Sequence, residues 1–234
     1  MKNDRKSALI SAIIKKHVAT GQTVASKTLV DNHDFSLSPA TIRNEMVALE
    51  KEGYIYQPHT SAGRIPTEKG WKYYLDNFLK DIELPEKDKN VLDKALKECG
   101  LSYESAIKNV AKGLAELSKD AVFVGFSADN FYYTGLSHLF RQPEFQKLDL
   151  VCHVSEVVDH LDEVIKEMFD DIAEETKILV GSDNPFGKEC GSIVGKYKFG
   201  HDKEGLFGIL GPMRMNYENN LALINYAKQL FADI

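Results

Sequence analysis

Apolar positions in the first 20 residues fall on one side of a helix. Leu9, Ile10, Ile13, Ile14 and His17 share a face, Lys15 and Lys16 stand outside it, and Gly21 ends the run. A short second helix fits Ser26 to Val30, with Ser26 as its N-cap. The third helix, from Ser38 to Gly53, is the best marked. Ser38 is placed to cap the free amides, Pro39 sits where its missing N–H is not needed, and Gly53 supplies the stop. At 100° per residue Ile42, Met46 and Leu49 form a narrow stripe to be buried, and Ala40, Arg43, Asn44, Val47 and Lys51 fall opposite. Tyr54-Ile55-Tyr56-Gln57 then has strand composition, Pro58 to Arg64 is a polar loop, and Ile65-Pro66 returns toward a helix capped by Thr67.

Farther along, Trp71, Tyr74, Leu75, Phe78 and Leu79 form a broad apolar stripe that Leu84-Pro85 interrupts. A helix with Leu92, Leu96 and Cys99 follows, then one with Tyr103, Ile107, Val110, Leu114 and Leu117 at strict 4-3 spacing. Such seams either pack on their own domain or pair two chains. The second use assigns Trp71, Tyr74, Phe78, Ile107 and Leu114 to dimerisation. From Ala121 the period shortens. Strands are predicted at Ala121–Phe126, Phe131–Thr134, Leu148–His153, Lys177–Val180, Ser192–Tyr197 and Leu206–Leu210. Between them lies a helix with Val157, Leu161, Val164 and Met168, and after them one with Tyr217, Leu221, Ile224 and Leu230. The predicted class is α+β: a helical N-terminal domain over 1–80, a helical connector over 81–118 and a mixed sensor-like domain over 119–234.

Composition narrows the function classes. At 43% apolar and 27% charged the 234 residues have a globular balance, and no apolar run approaches the ~20 residues of a membrane span. The start, Met1 to Lys6, leads into an amphipathic pattern rather than a signal-peptide block, so a cytoplasmic protein is expected. Three scattered cysteines build neither a disulfide framework nor a four-thiolate zinc site. The net charge of −6 is uneven: residues 1–80 carry 12 Lys/Arg against 8 Asp/Glu, and residues 81–234 carry 17 against 27. A basic module on an acidic body fits an anionic partner, and it also fits ordinary variation.

The chemistry of the third helix bears on that choice. Arg43 can donate two parallel bonds to a guanine edge, and Asn44 can pair with an adenine edge. Ser38 and Thr41, with the first-turn amides, are placed for phosphate oxygens, and Lys51 continues the basic face. A plain solvated face has the same composition. The segment after the helix adds a strand, a donor-rich loop and a return, which is the layout of a wing. His59, Thr60, Ser61 and Arg64 offer donors there to phosphates or to the minor groove.

Catalytic and metal constellations are missing from the pattern. Strand alternation sends Cys152 and His153 to opposite faces, and Cys190 has no base at motif spacing. Gly181 to Gly187 reads as a turn, since no P-loop register follows. Asp170, Asp171, Glu174 and Glu175 read as a solvated charge run, and Arg214 either as an anchor for the last helix through a carboxylate or as a contact for a ligand or partner. No enzyme, cofactor or metal is expected.

The block Ser38 to Met46, Leu49-Glu50, Gly53 and Gln57 to Thr67 with Gly70 closely resembles the signature of the bacterial heat-inducible transcription repressors of the HrcA type. Gly208 to Tyr217 resembles the family's C-terminal signature, and Gly135-Leu136-Ser137 with Pro143-Glu144-Phe145 resembles a third block. The resemblance implies a winged helix-turn-helix domain followed by a GAF-like domain. It implies a homodimeric repressor of chaperone genes on an inverted-repeat operator, with its active state maintained by the chaperonin. Family members commonly carry a further dimerisation segment in the C-terminal half, for which 117–231 leaves little room. A regulator whose GAF-like domain answers to a small ligand is the other expectation; an apolar pocket with convergent polar groups would mark it.

Overall fold

Capping fixes the edges of the first helices. In the computed structural model, which describes residues 2–31, 35, 37–97, 102–127, 129–146, 155, 156, 159, 161–171, 175–200 and 203–233, α1 (Lys2–Thr20) closes with the Gly21 amide donating to the His17 carbonyl at 2.8 Å. A short α2 (Ser26–Asp31) precedes α3 (Pro39–Lys51). The Ser38 hydroxyl accepts from the Thr41 amide at 3.1 Å, Pro39 occupies the first turn, and Gly53 takes the left-handed φ of 79° that lets the chain leave the helix. Strands β1 (Ile55–Tyr56) and β2 (Ile65–Pro66) pair antiparallel as a hairpin, and Thr67 caps α4 (Glu68–Phe78) by accepting from the Gly70 amide at 3.1 Å.

These elements make the first of two compact units, Met1–Leu79. Its core is built by Leu9, Ile10, Ile13 and Ile14 of α1, Ile42, Met46 and Leu49 of α3, and Trp71 and Tyr74 of α4, all buried. The stripe on α3 is therefore the one its periodicity predicts. Trp71 and Tyr74 correct the dimerisation reading, because both are buried in the core of their own unit. The Trp71 ring meets Tyr74 edge-on at 6.2 Å, and Tyr74 stacks on the half-buried Phe78 at 6.0 Å.

The second unit, Lys80–Ile234, holds α5 (Glu86–Lys97), α6 (Tyr103–Ser118), β3 (Ala121–Ser127), β4 (Asn130–Thr134), α7 (Leu136–Arg141), α8 (Leu161–Asp171), β5 (Lys177–Val180), β6 (Cys190–Phe199), β7 (Lys203–Pro212) and α9 (Tyr217–Ala232). The strands form one antiparallel sheet in the order β4-β3-β7-β6-β5, with β6 and β7 paired along their full length. The stretch expected as a connector is helical and belongs to this unit. The strand predicted over 148–153, together with Cys99, Val157 and Glu174, lies outside the described residues.

Helices cover both faces of the sheet. On one side α6 packs on β3, α5 and α9, and α9 packs on β6. Ile107 and Leu114 are buried in this layer, so the 4-3 seam of α6 also finds its partners inside the chain and is not a free dimer seam. On the other side Phe123, Leu206 and Val194 of the strands meet Leu139, Phe145, Ile165, Met168 and Phe186. Being covered on both sides, β7 is buried from Gly205 to Pro212 and shows a continuous apolar run instead of alternation.

Asp120, where α6 gives way to β3, is only 3% exposed. Its carboxylate accepts from the amide of the buried Asn220 of α9 at 2.9 Å, and a Cβ at Gly211 of β7 would fall 2.5 Å from Asp120 Oδ1. Arg214, just beyond β7, binds Glu144 through its Nε and, at 3.0 Å, its Nη2, and donates to Gln142 at 2.9 Å. The carboxylate that Arg214 engages is Glu144, three residues past α7. Burial pushes Asp120 up from its ordinary 3.8 to about 7, against the smaller opposing effects of the Asn220 hydrogen bond and the Arg214 charge. A folded-state value above the unfolded one makes this group's contribution fullest below pH ~4 and removes it as the pH rises through about 7. We predict that stability to urea, followed by far-ultraviolet circular dichroism, falls between about pH 4 and 7 by up to about 1.4 kcal/mol per pH unit. Asp120→Asn should flatten that slope; an unchanged slope would mean that another group titrates.

Candidate nucleic-acid interface

The outward side of α3 is polar and open. Ser38, Ala40, Arg43, Asn44, Val47 and Lys51 are exposed and Thr41 is half-buried. Periodicity brings Ala40, Arg43, Asn44, Val47 and Lys51 onto one face, since residues three and four apart are neighbours on a helix. The Ser38 and Thr41 hydroxyls are 2.9 Å apart at the first turn, which is the positive end of the helix dipole.

The acids on α3 and at its C-cap matter as much as its bases. Glu45 is bound by Arg5 at 2.7 Å, Glu50 by Arg64 at 3.0 Å and Glu52 by Lys6, so cations from α1 and the hairpin hold each of them. Among the described residues Arg43 and Lys51 have no carboxylate partner. The result is a face whose positive charge is not locally cancelled, on a helix whose sequence holds two acids and two bases.

Sequence reasoning missed this division, and it also missed what Arg64 does. Predicted as a donor to nucleic acid, Arg64 is instead 9% exposed. Its Nε and Nη2 both donate to Glu50 Oε2, at 3.1 and 3.0 Å. Its backbone exchanges two hydrogen bonds with Val24, each 2.9 Å, forming an isolated antiparallel bridge at the base of the hairpin. Next to it, Gly63 runs so close to Val24 that a Cβ would lie 2.5 Å from the Val24 carbonyl carbon. Arg64 therefore positions the hairpin on α3, and its guanidinium is engaged there. The isolated β-branched Thr23-Val24 before α2 is the signal that could have disclosed this bridge.

The hairpin tip stays open. His59, Thr60 and Ser61 are exposed, and the loop is braced from within by the Gln57 amide, which donates to the Thr60 carbonyl at 3.1 Å and the Ala62 carbonyl at 2.7 Å. Among the described residues no group of His, Cys, Asp and Glu could hold a metal ion, and no helix is long and apolar enough to cross a membrane.

These geometries define a two-unit α+β chain: a small helical unit presenting a basic helix face beside a braced hairpin, and a unit built on one antiparallel sheet. The sequence profile described as HrcA protein C terminal domain matches residues 69–220, and the chain belongs to the HrcA family. A heat-inducible transcription repressor HrcA of Thermobifida fusca (strain YX) is 33% identical over 175 residues, covering 74% of this chain and 50% of that protein. The chain thus spans half the length of that relative. With the HrcA of Carboxydothermus hydrogenoformans (strain ATCC BAA-161 / DSM 6008 / Z-2901) the identity is 22% over 336 positions, covering all of this chain and 98% of the relative. Roughly 100 of those positions have no residue here. A crystal structure of a hypothetical protein shares the fold with a TM-score of 0.76 at 18% identity, over 98% of this chain and 97% of that one.

Loss of the Arg64 side chain should loosen the hairpin. Arg64→Ala leaves the Glu50 carboxylate without its donors and is expected to destabilise the first unit by about 1.5–3 kcal/mol, the range for hydrogen bonds to charged groups. Arg64→Lys should recover only part, because an ammonium cannot reproduce the planar fork. Trp71, the chain's single tryptophan, lies buried in this unit and reports its urea unfolding by fluorescence. A midpoint unmoved in Arg64→Ala would show that the pair does not brace the hairpin.

Proposed function

We propose that this chain is a sequence-specific, DNA-binding transcription repressor of heat-shock genes and performs no catalysis. The carrying observation is the α3 face, where Arg43, Asn44 and Lys51 stand exposed while Glu45, Glu50 and Glu52 are each held by a base from elsewhere. An unneutralised basic helix face suits a duplex, and α3 with the β1–β2 hairpin suits a winged helix-turn-helix: α3 in the major groove, with His59, Thr60 and Ser61 at the backbone or minor groove. Ser38, Thr41 and Lys51 serve the phosphates, and Arg43 and Asn44 read base edges. Arg64 contributes by positioning the hairpin. Membership of a family whose curated relatives are called heat-inducible transcription repressors supports the same reading.

The second unit serves this function as a GAF-like body, a reading supported by its single antiparallel sheet with helices on both faces. Phe123, Phe145 and Phe186 fill one of those faces, which favours a packing role over a small-ligand pocket. An inverted-repeat operator calls for a two-fold partner, so the working form is a homodimer. Its contact uses surfaces other than Trp71, Tyr74, Ile107 and Leu114. Those side chains instead fit chaperonin coupling: buried in the native chain, they are released only when it opens, and they are the apolar surface a chaperonin takes hold of. With native stabilities of only ~5–15 kcal/mol, modest heating shifts the active fraction.

Binding to duplexes selected from a randomised library tests the DNA reading. Arg43→Ala is expected to cost about 1–3 kcal/mol on the selected duplex and to relax discrimination at one base pair. Lys51→Ala should weaken all duplexes alike and reduce the salt slope by about one unit. Unchanged specific affinity in Arg43→Ala would refute the assignment of α3. Sedimentation with and without the duplex tests the dimer, which a strict monomer in both would exclude. For chaperonin coupling, duplex binding after a heat pulse is expected to recover further with chaperonin and ATP than without; equal recovery would remove that part alone.

A further inference from the structure

Val47 breaks a local rule on α3. It is 36% exposed in mid-helix, so it gains little from packing, and a β-branched residue is a poor helix former compared with the Ala, Glu or Lys that suit such a position. Its neighbours at i−4, i−3 and i+4 are Arg43, Asn44 and Lys51, all exposed. The structural core takes nothing from this side, since Ile42, Met46 and Leu49 fill the opposite stripe. An apolar side chain ringed by two cations and an amide fits a partner that is anionic overall, offers hydrogen-bonding edges and carries a small apolar group among them.

The major groove of DNA has one such group, the C5-methyl of thymine. We infer that Val47 reads a thymine, packing on its methyl group while Arg43 and Asn44 address neighbouring base edges. The inference rests on the DNA-reading function of α3 proposed above and adds to it a base and an atom. Val47 lies one helical turn from Arg43 and one from Lys51, so the base read by Arg43 and the phosphate met by Lys51 flank the thymine along the groove. Because the contact involves a single methyl group, it discriminates thymine from uracil as well as from the other bases.

That property gives a test with an internal control. The full chain selects a duplex from a randomised library, and each thymine of the selected duplex is replaced by uracil in turn, which removes one methyl group and keeps every hydrogen bond. With the unaltered chain, one thymine in each half-site is expected to show about fourfold weaker binding as uracil, the factor for one methyl group returned to water. Val47→Ser and Val47→Asn, which leave the buried stripe intact and carry no methyl group at this position, should show a much smaller difference between the thymine and uracil duplexes, so that the two losses do not add. If the uracil penalty persists undiminished in both variants, the methyl is read by another residue and the inference is overturned. It is also overturned if no thymine is sensitive while Arg43→Ala still loses discrimination, an outcome that leaves the DNA-reading function standing. Failure to enrich any duplex, or unchanged binding in both Arg43→Ala and Lys51→Ala, would overturn that function and this inference together.

Discussion

Arg64 ties together three parts of the first unit that are far apart in the chain. Its backbone pairs with Val24 before α2, its guanidinium grips Glu50 on α3, and the strand that follows it, β2, pairs with β1. A guanidinium in this position is costly to desolvate, and the cost is offset only because one carboxylate oxygen accepts from two of its nitrogens. The arrangement also requires Gly63, where any side chain would strike the Val24 backbone. Without that close approach the bridge between Val24 and Arg64 is lost, and with it the tie between the base of the hairpin and the segment before α2. The exposed tip at His59 to Ser61 keeps a fixed relation to the α3 face because its base is held in this way.

The second unit depends on a different kind of constraint. Its sheet is closed on both faces by apolar packing, which is non-directional and would tolerate sliding. Polar groups supply the direction. Asp120 and Asn220 join the α6–β3 corner to α9, and Arg214 joins the end of β7 to Glu144 and Gln142 beyond α7. Asp120 does this as a buried carboxylate whose charged form is disfavoured, so the corner is weakest where that form dominates. Arg214 lies in the C-terminal block, and Glu144 in the block that begins at Gly135, which gives those two separated motifs a shared structural reason.

What could be read in the sequence follows from how local the physics is. Ser38, Pro39, Gly53 and Thr67 act through their own turn, and each stands where its capping chemistry predicts. The stripe of Ile42, Met46 and Leu49 needs only helical periodicity. The same periodicity finds the apolar faces of α4 and α6 but cannot say what covers them, which is why Trp71, Tyr74, Ile107 and Leu114 read as a dimer seam and prove to be core. Arg64 defeats sequence reasoning for a related reason. In Thr-Ser-Ala-Gly-Arg it looks like a loop donor, and only the approach of Val24, 40 residues away in the chain, removes it from the surface.

Net charge is a poor guide to the interface for the same reason. The +4 of residues 1–80 includes Arg5, Lys6 and Arg64, which are all engaged by the acids associated with α3. Their effect at the α3 face is indirect: by pairing with Glu45, Glu50 and Glu52 they remove the negative charge that would otherwise offset Arg43 and Lys51. A module with the same total and those acids left free would present a mixed face, with little preference for an anion. Where each carboxylate goes, rather than how many cations the module carries, therefore decides whether α3 presents a positive face. Because the pairing partners come from α1 and the hairpin, that property exists only in the folded unit, so any process that opens the unit abolishes both the shape and the charge of the face at once.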